Sequence, residues 1–242
     1  MHLIIAENEA EQAALAADEV ERAMHAKPDC CLGLSTGSSP LGMYNELVRR
    51  FDEGKLDFSA VSSINLDEYI GLGPEHPQSF CRYMNDNFFR RINIKPENTY
   101  VASGVGNTED NIRKFRERLD GKELDLLVLG VGADGHLGFN EPGDVLYDRA
   151  HQESLTQKTI ADNSRFFDDP GQVPTSALTM GIGEIMRARK LLLIISGEKR
   201  AAAGKLLCDD VITPRCPVTF LKLHRDATVI ITRKLADELK IA

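Results

Sequence analysis

Short apolar runs separated by polar, helix-periodic stretches recur along the whole chain. The clearest is Leu126, Leu127, Val128 and Leu129, unbroken and bounded by Gly130. A run that short reads as a strand buried on both faces, as in a parallel sheet. Residues 3–6, 30–34, 61–66, 191–195 and 228–232 are runs of the same kind, and a short strand is expected at 99–102. Between them, apolar positions return at helical spacing. Ala13, Ala17, Val20 and Met24 follow an Asn8/Glu11 pair that resembles a capping box. Met43, Leu47 and Val48 follow Pro40, in a helix ending near Gly54. Phe80, Met84 and Phe88 make a core-facing stripe within 79–91, and Ile112, Phe115 and Leu119 follow a cap at Thr108. Residues 177–189 read as a helix weakened by Gly181 and Gly183. Leu206 and Leu207 belong to the next helix; 217–224 and 234–241 close the set.

Residues 144–174 have no clear periodicity, and a stretch that long is often a functional loop or lid. The βα alternation from end to end predicts an α/β fold: a single doubly wound, mostly parallel sheet with helices on both faces, Rossmann-like and three-layered. The expectation is one domain over residues 1–242 with a lid around 144–174.

Composition narrows the partners. The 242 residues carry a net charge of −8 and no basic block, which argues against nucleic acid or an anionic membrane surface. Five cysteines without a CxxC pair suggest free thiols in a reducing cytoplasm. There is no signal peptide pattern and no apolar run of membrane-spanning length. A cytoplasmic protein acting on a small molecule is expected.

In open α/β sheets ligands bind beyond the carboxyl ends of the strands. The strand-end loops at 35–39, 67–69, 130–141 and 196–199 should therefore share one edge. The loop after the central strand has glycines at 130, 132, 135 and 138, and carries Asp134, His136 and Glu141. These read either as acid–base groups delivered to a cleft or as solvated charges on a glycine-rich turn. Asp67 ends another strand, where it is a cleft carboxylate or a turn former. Thr36, Gly37 and Ser38 precede a helix, a place that suits phosphate or is simply an N-cap turn. Lys199 near a helix N-terminus opposes the dipole unless an anion compensates, or else is a surface lysine. Arg165 lies in the aperiodic segment.

STGSSP (35–40), NLDEYIGL (65–72), GVGADGHLGFNEPG (130–143), NSRFF (163–167), ALTMGIG (177–183) and SGEK (196–199) together resemble the glucosamine-6-phosphate deaminase family over nearly the whole chain. GxGxDGHxxF is shared with the wider superfamily; LDEY, GFNEP and SRFF are more specific to the deaminases. The resemblance implies conversion of glucosamine 6-phosphate and water to fructose 6-phosphate and ammonia, with no metal and no organic cofactor. It implies that Asp67 moves the proton between C2 and C1, and that His136 assists ring opening with Asp134 and Glu141 in support. Thr36, Gly37, Ser38, Arg165 and Lys199 are implied to bind the phosphate.

The chemistry asks for the same set. Ring opening needs an acid–base group near neutral pH, as histidine supplies. An enol-type intermediate needs a second base on the C1–C2 edge, and an Asp there calls for partial burial to raise its pKa.

The sequence also departs from the family. Members regulated by N-acetylglucosamine 6-phosphate carry a basic pair where this chain has His151 and Glu153, and they have a longer C-terminal tail. Both differences argue for a monomer or small homo-oligomer rather than an allosteric hexamer. Lys222 stands where the family often has Gln. Rival readings are a galactosamine-6-phosphate deaminase, differing only at C4, and a 6-phosphogluconolactonase, against which GFNEP argues. A sugar-phosphate sensor should have lost one of Asp67, His136 or Glu141. A metal held by Asp134, His136 and Glu141 has suitable ligand types but no further His/Cys cluster beside it.

Overall fold

The computed structural model describes residues 1–167 and 169–241. In chain order its strands are β1 (His2–Ala6), β2 (Cys31–Leu34), β3 (Ser62–Asn65), β4 (Asp67–Tyr69), β5 (Thr99–Tyr100), β6 (Leu126–Leu129), β7 (His151–Ser154), β8 (Ser176–Thr179), β9 (Leu191–Ile195) and β10 (Ala227–Thr232). Its helices are α1 (Glu9–Ala26), α2 (Ser38–Asp52), α3 (Phe80–Asn87), α4 (Thr108–Asp120), α5 (Gln157–Asn163), α6 (Ile182–Met186), α7 (Ala201–Cys208) and α8 (Arg233–Leu239). Seven strands form one sheet in the order β1-β10-β9-β6-β2-β3-β5, every pairing parallel.

The unbroken apolar runs have a direct cause. Alternate residues of a strand face opposite sides, and both sides are covered. Leu127 and Leu129 of β6 join Leu191, Leu193 and Val229 in a core closed by Phe115 of α4, Ile185 of α6 and Leu207 of α7. Leu126 and Val128 join Leu32, Leu34 and Ile194 in a second core closed by Val20 of α1 and by Met43, Tyr44 and Leu47 of α2. The expected three-layer α/β architecture is what the chain adopts. No helix among the described residues is long and apolar enough to cross a membrane.

Several local expectations are corrected. Residues 177–189 are not one helix. Ser176–Thr179 is β8, the middle strand of a separate antiparallel sheet ordered β4-β8-β7, and only Ile182–Met186 is helical. The apolar spacing over four residues could not separate the two states, and two flanking strands offered backbone partners. Residues 144–174 are not structureless: they contain β7, paired with β8 from His151↔Thr179 to Ser154↔Ser176, and α5. The stretch 79–91 breaks after α3 into a 3-10 turn at Phe89–Arg91. The cap of α4 is Asn107, whose side chain accepts from Asp110 N, rather than Thr108. At α1, Asn8 accepts from Glu11 N as expected, and Glu11 in turn accepts from Glu7 N at 2.6 Å.

The small sheet is sewn to the carboxyl edge of the large one where β3 passes into β4. The chain leaves β3 at Asn65, Leu66 N donates to Leu34 O, and Leu66 O accepts from Met180 N at 2.7 Å. Asp67, the next residue, pairs with Thr179. Glu68 then fixes the direction of the strand. Its buried carboxylate accepts from Tyr69 N, Phe80 N and Cys81 N, each at 2.9 Å, which also serves the first turn of α3. Removing that acceptor orphans N–H groups inside the protein. Glu68→Ala should lower the unfolding free energy by about 1–3 kcal/mol, read from urea denaturation. Glu68→Gln, which keeps an acceptor oxygen, should lose less.

Candidate active site

The loop after β6 folds back on itself. Gly135 N donates to Gly132 O and Gly132 N to His136 O, both at 3.1 Å. Glycine at 132 is forced by proximity: a Cβ there would lie 2.1 Å from His136 Cε1 and 2.4 Å from its Nδ1. Gly138 has φ +58, and a Cβ there would stand 2.8 Å from Thr179 Oγ1 and 3.4 Å from Asp67 Oδ2. Strand β8 holds the far end of the loop, since Thr179 Oγ1 accepts from Phe139 N at 3.0 Å and Met180 O accepts from Asn140 Nδ2 at 2.8 Å.

These constraints bring four of the residues singled out above together. His136 Nδ1 lies 2.8 Å from Asp134 Oδ1 and 3.8 Å from Glu141 Oε2. Asp134 Oδ1 also accepts from His136 N at 3.2 Å. Asp67 arrives from the other side of Gly138, only 7% exposed, with Oδ1 lacking a protein hydrogen-bond partner among the described residues. Asp67 and His136 lie close enough that each charge affects the other's protonation.

The electrostatics divide the three acid–base groups. Burial, helped by the neighbouring Glu68 charge, pushes Asp67 up to about 7, against the opposing pull of His136. Burial would lower the His136 pKa, but the hydrogen bond and charge of Asp134, with the charges of Glu141 and Asp67, outweigh it and raise the imidazole above its usual value. Burial would raise Asp134, but His136 holds it down at about 2. The result is an imidazole paired with an ionised carboxylate, beside a second carboxyl group poised near neutrality. Asp134, His136 and Glu141 are the one described group offering three metal-type ligand atoms within 4.8 Å. Two of the three are already joined at hydrogen-bond distance, an arrangement suited to holding and moving a proton.

The residues expected at a phosphate are more dispersed. Gly37 and Ser38 are exposed and Thr36 half-buried, at the start of α2. Two tyrosine hydroxyls pin that loop, Tyr44 donating to Ser35 O and Tyr83 to Gly37 O, both at 2.6 Å. Ser38 lines a cavity of about 250 Å³ together with Ser39, Ser196, Gly197 and Arg200. Arg165 is exposed and lies over the Phe166 ring at 4.7 Å, and Lys199 is exposed; neither lines this cavity. Arg200 was not singled out by sequence. The tandem Lys199-Arg200 just past a strand end marks the place in the sequence, but not which of the two side chains turns inward. Lys222 proves to be a helix cap. Its Nζ donates to the carbonyls of Leu206, Asp209 and Val211, at and just beyond the C-terminal end of α7, where a cation is favoured.

Residues 6–230 match the family described as glucosamine-6-phosphate isomerases/6-phosphogluconolactonase. A glucosamine-6-phosphate deaminase of Clostridium perfringens (strain 13 / Type A) is 45% identical over 242 residues, covering 99% of this chain and 100% of the relative. One from Thermoanaerobacter sp. (strain X514) is 44% identical over 238 residues, covering 98% and 94%. The solved structure of a monomeric glucosamine-6-phosphate deaminase superposes with a TM-score of 0.95 at 37% identity, covering 98% of this chain and 99% of that one. A 6-phosphogluconolactonase from Leishmania guyanensis shares the fold alone, with a TM-score of 0.79 at 18% identity over 98% and 97% of the two chains. The sequence match and the parallel sheet with its glycine-loop edge agree: this chain belongs to the glucosamine-6-phosphate isomerase/6-phosphogluconolactonase family.

Proposed function

We propose that this protein is a glucosamine-6-phosphate deaminase, releasing ammonia from glucosamine 6-phosphate and water to give fructose 6-phosphate. The observation that carries the reading is the meeting of Asp67 with the His136–Asp134 pair across Gly138. The two come from different sheets, so they can address different sides of one sugar. The names borne by the relatives supply the substrate.

The residues divide the work by their acidity. His136 takes the anomeric hydroxyl proton and returns it to the ring oxygen, opening the pyranose, while Asp134 keeps the imidazole oriented. Ionised Asp67 takes the C2 proton and returns it at C1, converting the open-chain amino aldose to a 2-imino ketose. Water adds at C2 and the nitrogen leaves as ammonia. Glu141, facing His136 at 3.8 Å, stabilises the charged imidazole. A lactonase has no carbon-bound proton to move, so a buried carboxyl raised towards neutrality favours the deaminase. Thr36, Gly37, Ser38, Arg165 and Lys199 are assigned to the phosphate, whose binding energy holds C1 and C2 in register. Within the proposed lid at 144–174, α5 and the turn after it are the part free to close, because β7 is hydrogen-bonded to β8. The position of a regulatory basic pair holds His151 and Glu153, 3.1 Å apart, in keeping with a monomer or small oligomer without that effector.

An assay of ammonia release from glucosamine 6-phosphate and galactosamine 6-phosphate, beside hydrolysis of 6-phosphogluconolactone, tests the reading. Release from the first substrate is expected, and lactone hydrolysis alone would overturn it.

Asp67→Asn should abolish C2 proton exchange with solvent and lower turnover by about 10²–10⁴-fold, while sugar-phosphate binding is kept.

The pH behaviour has opposite signs for rate and stability. Turnover needs ionised Asp67 and should fall as pH drops through about 7. Stability contributed by the neutral form is present at low pH. It is lost as pH rises from the unfolded pKa of about 4 through the folded value near 7, because the native state binds the extra proton in that window. Asp67→Asn should therefore be the more stable protein at pH 8, as followed by thermal unfolding across pH.

A further inference from the structure

Thr179 is fully buried and lies opposite Asp67 in the small sheet. Residues facing one another in an antiparallel pair project to the same face, so its hydroxyl and the carboxylate stand side by side. The glycine loop comes down on that face at Gly138. A Cβ on Gly138 would lie 2.8 Å from Thr179 Oγ1 and 3.4 Å from Asp67 Oδ2, so the loop backbone packs directly against both groups. The hydroxyl accepts from Phe139 N at 3.0 Å, while its own hydrogen reaches Met180 O over a long 3.4 Å. A buried hydroxyl is costly where its hydrogen bonding is weak. Valine has nearly the same shape and suits a strand equally well. The needs of β8 therefore give no reason for the oxygen, whereas Phe139 N does.

That bond falls where the loop needs an external reference. The near end, with Asp134 and His136, is closed on itself through Gly132 N to His136 O and Gly135 N to Gly132 O. Val218 N holds it from another side, donating to Gly135 O at 2.8 Å. None of these contacts involves the small sheet, which carries Asp67. The link to that sheet is made at Phe139 and Asn140, between His136 and Glu141 in sequence, by Thr179 Oγ1 and Met180 O. Asn140 Nδ2 divides its hydrogen bonding between Met180 O and Leu137 O. Phe139 N has Thr179 Oγ1 as its one partner among the described residues.

We propose that Thr179 is a positioning residue: by accepting from Phe139 N, its hydroxyl sets where the His136 imidazole stands relative to the Asp67 carboxylate across Gly138. The consequence for catalysis rests on the deaminase reading, in which ring opening and C2 proton transfer act on one bound sugar; the geometric link does not. Without the hydroxyl, Phe139 N faces a methyl group, and the loop moves to find another acceptor. A displacement of about 1 Å can slow a reaction that depends on two placed groups by about 10²-fold.

The test compares Thr179→Val, which removes the oxygen and keeps the branched shape, with Thr179→Ser, which keeps the oxygen. With glucosamine 6-phosphate, Thr179→Val should lower kcat by about 10–100-fold and slow C2 proton exchange in step, with KM changed no more than a few-fold. Thr179→Ser should bring kcat back to within a few-fold of the parent. A second measurement needs no turnover. The charges of Asp134, Glu141 and Asp67 all raise the His136 pKa, so NMR titration of the imidazole should give a lower pKa in Asp67→Asn than in the parent. In a Thr179→Val background, Asp67→Asn should move it less. Unchanged kcat in folded Thr179→Val would overturn the proposal, as would an equal response of His136 to Asp67→Asn in both backgrounds. So would a loss of kcat that Thr179→Ser shares in full, since the methyl and not the hydroxyl would then be responsible. If Thr179→Val does not fold, Thr179→Cys, whose sulfur is a weak acceptor, decides by the same comparison with Thr179→Ser. Absence of ammonia release by the parent, with Thr179-dependent coupling of His136 to Asp67 intact, would defeat the deaminase reading and leave the clamp standing.

Discussion

The site depends on one seam, where the chain steps from the parallel sheet into the small antiparallel one. Leu66 O is held by Met180 N, and the next residue, Asp67, is paired with Thr179. Thr179 and Met180 also bind the glycine loop, through Phe139 N and Asn140 Nδ2. One short strand thereby sets the position of the carboxylate and of the loop bearing the imidazole. The seam buries Asp67 next to Glu68, and that burial is what keeps its proton affinity high. Structure and acidity come from the same set of contacts.

Much of this was legible in the chain. The two-faced burial of Leu126–Leu129 follows from its unbroken apolar run, and the carboxyl-edge position of its loop follows from the parallel sheet. Asp67, Asp134, His136 and Glu141 converge because their loops leave that edge. The small sheet was not legible. β4 has three residues, and β7 and β8 have four each, too few for periodicity to show, and their pairing is a matter of tertiary contact. Ala177 and Leu178 could be helical or extended by composition, and only the open edges of β4 and β7 decide between the two. Arg200 escaped for a similar reason. Nothing in a Lys-Arg pair says which side chain turns inward, and the choice is made by carbonyls from loops 69 and 4 residues away.

The Lys222 substitution shows the limit of position-by-position comparison. A residue that stands where the family often has Gln is occupied with three main-chain carbonyls around the end of α7. The cation offsets the helix C-terminal dipole, and its length lets it reach carbonyls as far as Val211. That brace steadies the helix directly following the 3-10 turn of Lys199 and Arg200, so it bears on that turn through backbone position rather than contact.

The edge thus holds two electrostatic regimes that would interfere if they overlapped. At the acid–base end, burial and adjacent charges raise Asp67 to about 7, and neighbouring carboxylates raise His136 above its usual value, so small changes in charge alter the protonation of Asp67. At the other end Arg200 forms no ion pair with a carboxylate among the described residues, and burial with the nearby charge of Arg165 lowers its pKa. A strong fixed cation beside Asp67 would drag its pKa down and disable it as a carbon base. Separating the two along the strand ends keeps the guanidinium of Arg200 from depressing the carboxylate at Asp67.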